Sequence, residues 1–273
     1  MSGWKAQKNF TTSAQSKTKT YAILNFIMSV LITILFFTFL ASILSLFLVA
    51  MLLLNKTFIS KFSFSLVSFA AGALLATAFL DTMREAVELA GKNVFLWVTI
   101  SIAGFFVIER LFIFLHHHED EDDKIRLPTP VLLFGDGLHN FIDGASIAAA
   151  FLVSFPLGLV TSLAVFIHEI PHELGDFGIL IHKGWGRGKV LWFNIATGFT
   201  AMIGAFLAFY MGNISDNIIP IILSITTGNF IYLAATDLLP EIHNKAKKDL
   251  ALKESSFFIL GIVLVAVLTI LIK

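Results

Sequence analysis

The sequence predicts an all-α integral membrane protein with eight transmembrane helices. Three observations lead there. Of the 273 residues 57% are hydrophobic and only 14% charged, with a mean hydropathy of +0.86, far more apolar than a water-facing domain of this length sustains. The apolar residues fall in successive runs long enough to cross a bilayer. Inside two neighbouring runs the polar residues recur at four-residue spacing, which gathers them on one face of a helix.

Residues 1–20 form a polar tail with Lys5, Lys8, Lys17 and Lys19. The run behind it is too long for the apolar core of a signal peptide and lacks a small-residue cleavage site. Residues 21–273 then read as a single transmembrane domain. Tyr21–Leu54 holds no Pro or Gly and spans about 51 Å as a helix, against about 30 Å of hydrocarbon. One long tilted helix is expected, with two very short passes as the alternative. Phe62–Leu80 is the second helix, carries the small patch Ala70–Ala73 and ends in DTMREA (Asp81–Ala86). Val94–Leu115 is the third.

Residues 116–126 form a polar loop opening with HHHEDEDD. His116, His117 and His118 make it either a solvated acidic loop or a low-affinity collector of metal. Thr129–Phe155 is the fourth helix and contains Asp136, His139, Asn140 and Asp143. Its second half, GASIAAA, is almost all small, which lets helix backbones approach closely in lipid. Pro156–Ile181 is the fifth, joined to the fourth by a tight hairpin. Lys189–Met211 is the sixth, with Asn194 near its start. Ile218–Leu239 is the seventh, ending in DLLPEI, and Ser255–Ile272 is the eighth.

The loops after helices one, three, five and seven carry most of the Lys and Arg, so the positive-inside rule makes them cytoplasmic and the termini external. The tail lysines pull the other way. Helix two reads Gly72…Asp81…Glu85 and helix seven reads Gly228…Asp237…Glu241, with identical spacing. Under the eight-span count the two run in opposite directions, the mark of an inverted repeat.

The net charge is zero, so nothing suggests a nucleic-acid partner. There is no cysteine, so disulfides and thiolate sites are excluded and any metal must sit on nitrogen and oxygen. The 29 phenylalanines suit surfaces that face lipid.

The chemistry lies in helices four and five. His139 pairs with Asp143 at four-residue spacing, as do Asp136 with Asn140, His168 with His172, Glu169 with Glu173, and His172 with Asp176. Charged groups in mid-bilayer are costly and mark function by default. The two polar faces can converge only on each other, because lipid cannot solvate them. Such a set of imidazoles and carboxylates is relieved by a divalent cation, and the mixture suits Zn, Fe, Mn, Co or Ni rather than Mg or Ca. Asn140 reads equally as a ligand or as a bridge between helices. Glu173, Asp176 and Asp136 read as neighbours of the site or as steps on a pathway. Pro171 removes one helix hydrogen bond, and a kink is expected there. His182 and His243, at helix ends, read as solvated.

His168–His172 also spells H-E-x-x-H, in which two histidines bind zinc and the glutamate is the base of a metalloprotease. An intramembrane zinc metalloprotease is therefore the rival reading. Pro171 inside the motif, the second cluster one helix away and the inverted repeat count against it. A metal sensor without transport is a third.

HNFIDG (His139–Gly144) followed by HEIPHELGDF (His168–Phe177) resembles the paired signature of the ZIP (Zrt/Irt-like) metal transporters, in particular the subgroup with HEXPHELGDF. The resemblance implies a 3+2+3 fold and transport of divalent metal into the cytoplasm, not catalysis. Zinc is the first candidate, with iron, manganese and cadmium behind it. It further implies metal ligands at His139, Asn140, Asp143, His168, Glu169 and His172, an elevator-type movement, and often a homodimer. A multi-pass protein of the plasma membrane is expected. Two departures stand out. Asp143 occupies a position where many members carry glutamate. Helix six has no Asp or Glu, where some relatives draw a carboxylate for a second metal.

Overall fold

A computed structural model of the chain describes residues 25, 27–52, 56–115, 129–215, 217–240, 242 and 248–272. The tail at 1–20, the loop at 116–126 with His116, His117 and His118, Glu241, His243 and the side chain of His182 lie outside the described residues. Among the described residues every regular element is helical. Five helical stretches among the described residues are long and apolar enough to cross a membrane: Ile27–Met51, Phe64–Leu111, Arg187–Ile214, Ile218–Leu238 and Ala251–Leu271.

Helix α1, Ile27–Met51, is one rod rather than two short passes. It widens to π geometry over Leu40–Leu44. Helix α2 starts at Lys56 and runs to Ala76, then continues through a second widened turn, Thr77–Thr82, into Met83–Ala90. The sequence placed its end near Leu80, ahead of a charged segment. The helix continues because Asp81 is accommodated: it is buried and accepts a hydrogen bond from the Thr269 hydroxyl, 2.8 Å from Oδ2. Thr269→Val is therefore expected to destabilise the protein by about 1.5–3 kcal/mol, the usual worth of a hydrogen bond to a charged group, read as a fall in the thermal midpoint of the purified protein. Gly91, at φ 64°, ends this rod in a conformation that favours glycine.

Helix α3 is Val94–Leu115 and α4 is Thr129–Val153. Ser154 alone separates α4 from α5, Phe155–His182. Its backbone is extended, its side chain accepts from the Leu157 N–H (3.3 Å), and Pro156 occupies the first turn. These are the helix-start signals for N-cap serine and early proline. Helix α5 runs on through Pro171. Helix α6 is Arg187–Ile214. Helix α7, Ile218–Leu233, continues through a third widened turn at Ala234–Leu238. Helix α8 is Lys248–Ile272 and begins ahead of the predicted Ser255.

Glycines set the closest helix pairs. A Cβ on Gly144 would lie 1.8 Å from the Ala201 carbonyl oxygen, and one on Gly204 1.9 Å from that of Phe141, so α4 and α6 touch backbone to backbone. Gly72 and Gly261 do the same between α2 and α8, against the carbonyls of Phe258 and Phe69. Gly228 of α7 sits against Ser101 of α3, whose hydroxyl donates to the Ile225 carbonyl at 2.9 Å. In a bilayer, where burial of apolar surface adds little, this close van der Waals contact is the main glue between helices.

Candidate metal centre

Helices α4 and α5 bring the polar faces together as the four-residue spacing requires. His139 Nε2 lies 3.0 Å from His168 Nε2. Asp143 Oδ2 lies 2.9 Å from His168 Nε2 and 3.3 Å from His139 Nε2. Glu169 Oε1 lies 3.4 Å from His139 Nε2 and 3.6 Å from His168 Nε2. Ligands of a tetrahedral zinc ion with bonds of about 2.0–2.1 Å stand about 3.3–3.4 Å apart. These contacts, 2.9 to 3.6 Å, bracket that edge length.

The protons point the same way. His168 Nδ1 is 3.0 Å from the Ala164 carbonyl oxygen, which can only accept. Nδ1 therefore donates, and Nε2 is the ring nitrogen left to face the other side chains. That nitrogen faces the carboxylate oxygen of Asp143 at 2.9 Å. A nitrogen and a carboxylate oxygen at that distance are joined by a proton or by a metal ion. A carbonyl holding the far nitrogen of a histidine is also how metal-binding imidazoles are commonly oriented. Asp143 Oδ1 and both oxygens of Glu169 are buried without a hydrogen-bond partner, in side chains at most 2% exposed. Buried carboxylates left so are costly.

His172 does not close into this group. Its Nδ1 lies 3.9 Å from Asp136 Oδ1, and it clusters with Asp136 and Asp176. Asn140 is engaged at both ends. Its amide nitrogen donates to Asp136 Oδ1 at 2.8 Å, and its oxygen accepts from the Ser42 hydroxyl at 2.9 Å. The bridging role is the one the geometry displays. Glu173 is buried and accepts from the Asn194 amide of α6 at 2.5 Å.

Ser42 is the residue that the sequence did not point to. It reaches Asn140 from the widened turn of α1, and a serine in an apolar run gives no sign that its helix will be locally π. The turns of α2 and α7 behave alike: Asp81 and Asp237, the matched acids of the two helix ends, both lie in widened turns. The Tyr232 hydroxyl of α7 also donates to Glu109 of α3.

The family model described as ZIP Zinc transporter matches residues 116–269, more than half of the chain. The chain belongs to the ZIP family. Its similar relatives include zinc transporter ZIP4 of Homo sapiens, 44% identical over 117 residues, 43% of this chain and 18% of the relative. Zinc transporter ZIP6 of Homo sapiens is 38% identical over 130 residues, 47% of this chain and 17% of the relative. Zinc transporter foi of Drosophila melanogaster is 44% identical over 112 residues, 41% of this chain and 16% of the relative. The matched stretch thus spans under a fifth of each of these relatives. In this ZIP chain the stretch matched by the family model includes α4, α5, α6 and α7, and with them every candidate metal-binding side chain described above.

Proposed function

We propose that this ZIP chain carries divalent transition-metal ions across a membrane into the cytoplasm, through the cluster between α4 and α5. Zinc is the foremost substrate, with iron, manganese and cadmium as further candidates. The observation that carries the reading is the convergence of His168 Nε2, the Asp143 carboxylate, His139 and Glu169 in a buried cluster with their ligand atoms within 4.8 Å of one another. A cation resolves that arrangement, and nitrogen with oxygen donors selects a transition metal. Its ligands are His139, Asp143, His168 and Glu169, joined by His172 and Asn140 when the site closes around the ion. The His116–His118 segment is assigned to collecting the ion at the cytoplasmic exit.

The architecture that serves this function is eight spans in a 3+2+3 arrangement with inverted repeats, in the plasma membrane, termini external. Exchanging the repeats turns helix two into seven and helix eight into three. The close pair α2–α8 then maps onto the close pair α7–α3, and Gly72 with Asp81 maps onto Gly228 with Asp237. Elevator movement of α1, α4, α5 and α6 against the remaining helices is consistent with where side chains bond. Ser42–Asn140, Glu173–Asn194 and Thr200–Gly137 fall within the first set, and Thr82–Thr227, Ser101–Ile225 and Asp81–Thr269 within the second. Ser146–Thr226 (2.6 Å) joins the two sets. The assembly is a homodimer, and the HEXPHELGDF signature puts the chain in the subgroup that bears it.

Glu169 argues against the protease. A general base stands free of the metal, whereas Glu169 Oε1 sits among the donors, within 3.6 Å of both histidines. The test is uptake of zinc into proteoliposomes holding the full chain. Saturable uptake above that of empty vesicles is expected, and its absence contradicts the proposal. Zinc affinity is expected to fall as pH drops below about 6, because imidazole binds metal only unprotonated. A binding isotherm unchanged between about pH 7.5 and 5.5 would speak against histidine ligation.

A further inference from the structure

Helices α4 and α6 touch backbone to backbone at Gly144 and Gly204 and part from one another toward their N-terminal ends. A Cβ on Gly137 would meet the methyl groups of Thr200 and Thr197 at 3.8 and 3.9 Å, whereas one on Gly144 would lie 1.8 Å from a backbone oxygen. The gap between the helices is a groove of about 420 Å³ on the outer surface of the pair. Its walls are Leu133, Phe134 and Phe141 of α4 and Phe193, Ala196 and Ile203 of α6. From Phe193 to Ile203 it runs about 15 Å along the helix axis.

The lining of this groove is hydrocarbon. Its two hydroxyls are engaged within the helix pair: Thr200 donates to the Gly137 carbonyl at 2.6 Å, and Thr197 to the Asn194 carbonyl at 3.1 Å. The other side chains along it are aliphatic or aromatic. A polar molecule would lose its water there without gaining a partner, whereas an alkyl chain gains van der Waals contact along the full length. Phe134 and Ile203 are more than half exposed, and α6 is long and apolar enough to cross a membrane, so the groove faces the acyl chains of the bilayer.

The wide end of the groove leads to positive charge. Lys183, Arg187 and Lys189 lie in the turn between α5 and α6 and in the first turn of α6, and no acid occurs between Asp176 and Asp216. Arg187 and Lys189 are exposed. A ladder of rings joins this charge to the groove. Lys189 Nζ stands 3.8 Å from the centre of the Trp185 ring, Trp185 packs edge-on against Phe193 at 5.7 Å, and Phe193 is part of the wall. Tryptophan favours the membrane interface, the level of the lipid headgroups. Arg187 and Lys189 precede Phe193 by six and four residues, which is about 6–9 Å along the axis. That is the order of the distance from the start of an acyl chain to the phosphate of its lipid.

We propose that the groove and its basic end form a binding site for one anionic phospholipid, with an acyl chain lying between α4 and α6 and the phosphate held by Arg187 and Lys189. The positive-inside rule puts that end in the cytoplasmic leaflet, where anionic lipids are found. The choice of leaflet rests on the orientation proposed above, whereas the site itself does not. Phe134, Gly137 and Phe141 form one stripe of α4, and the helical repeat places Asp136, His139, Asn140 and Asp143 on its opposite side. The bound chain therefore backs the helix that carries the metal cluster and fills the space between it and α6.

The test reads lipid binding and does not depend on transport. The full chain in detergent is titrated with phosphatidylglycerol and with phosphatidylcholine of the same acyl chains, and retained lipid is counted by native mass spectrometry. Wild type is expected to hold one phosphatidylglycerol about tenfold or more tighter than phosphatidylcholine. Arg187→Gln with Lys189→Gln is expected to erase most of that preference, about fivefold for each charge removed. Ala196→Trp puts a ring into the groove from an exposed position. It is expected to abolish retention of phosphatidylglycerol although both basic residues remain. If its elution profile shows misfolding, Ile203→Trp takes its place. A photoreactive group at the end of the acyl chain is expected to label the peptides that hold Phe141 and Ile203. Equal retention of the two lipids by wild type overturns the site. So does a preference that survives the double glutamine variant, unchanged retention by the groove-filling variant, or labelling confined to other helices. A dimer that the groove-filling variant breaks also overturns it, since a second copy of the chain then covers the groove.

Discussion

Proteoliposomes bearing the His168→Ala variant are expected to take up zinc at about one hundredth of the wild-type rate or less. Loss of a group that merely orients a metal ligand commonly costs about 10- to 100-fold in affinity or activity. His168 is proposed as a ligand itself, and its ring is oriented by Nδ1 donating to the Ala164 carbonyl at 3.0 Å. Removing it leaves the Asp143 carboxylate facing a void and His139 without its neighbour. Adding His172→Ala should take the remaining flux to background, because the polar face of α5 then lacks both imidazoles. Flux that survives the double substitution would sink the assignment. Glu169→Gln separates the two chemistries that the HEIPH sequence allows. A protease base can be lost with its metal still bound, whereas a carboxylate in the donor set cannot. Loss of zinc binding and flux together is expected for Glu169→Gln. Retained zinc with loss of a proteolytic activity would favour the protease.

The second large effect concerns folding. Gly144→Val is expected to abolish or nearly abolish recovery of monodisperse protein. Even the first carbon of a side chain would lie 1.8 Å from the Ala201 carbonyl oxygen and 2.5 Å from its carbonyl carbon. Those atoms are backbone and cannot rotate away, so α4 and α6 would have to separate. Overpacking typically costs about 1–3 kcal/mol and occasionally more, and here it also removes the reciprocal contact of Gly204 with Phe141. Because α4 carries Asp136, His139, Asn140 and Asp143, a shift of that helix would open the metal cluster as well. Gly135→Ala is the matched control: its added carbon meets nothing within 4 Å, and it should leave yield and flux unchanged. The readout is the elution profile of detergent-solubilised protein. A well-behaved Gly144→Val peak at wild-type yield would contradict the backbone contact.

Much of this was legible in the residues. Val94–Leu115 has the bounds that its apolar run indicates, and α5 spans Phe155–His182 against the expected Pro156–Ile181. Long apolar runs with glycine or proline at their ends leave few alternatives in lipid, where every backbone polar group must be satisfied within a helix. The pairing of His139 with Asp143 and of both with His168 and Glu169 was legible too, from the spacing of four and the tight connection at Ser154. Helix ends at charged residues were not. Asp81 looked like a stop and is instead held by Thr269, which lies 188 residues away. Local composition carries no information about a partner so distant.

The sequence by itself determined that the chain is helical and apolar, that its acids and imidazoles gather on facing sides of two adjacent helices, and that they suit a transition metal. It did so because the helical repeat and the exclusion of charge from lipid act residue by residue. Only the tertiary structure decided how those donors divide. His172, four residues from His168 and the natural completion of its cage, turns its Nδ1 toward Asp136, while Ser42 of α1 and Asn194 of α6 hold Asn140 and Glu173. The face that a residue occupies follows from its position along one helix. Which neighbour its last atoms reach depends on the distance and rotation between helices. Those are set by Gly144, Gly204 and the widened turn of α1, elements far apart in the chain that meet only when it is folded.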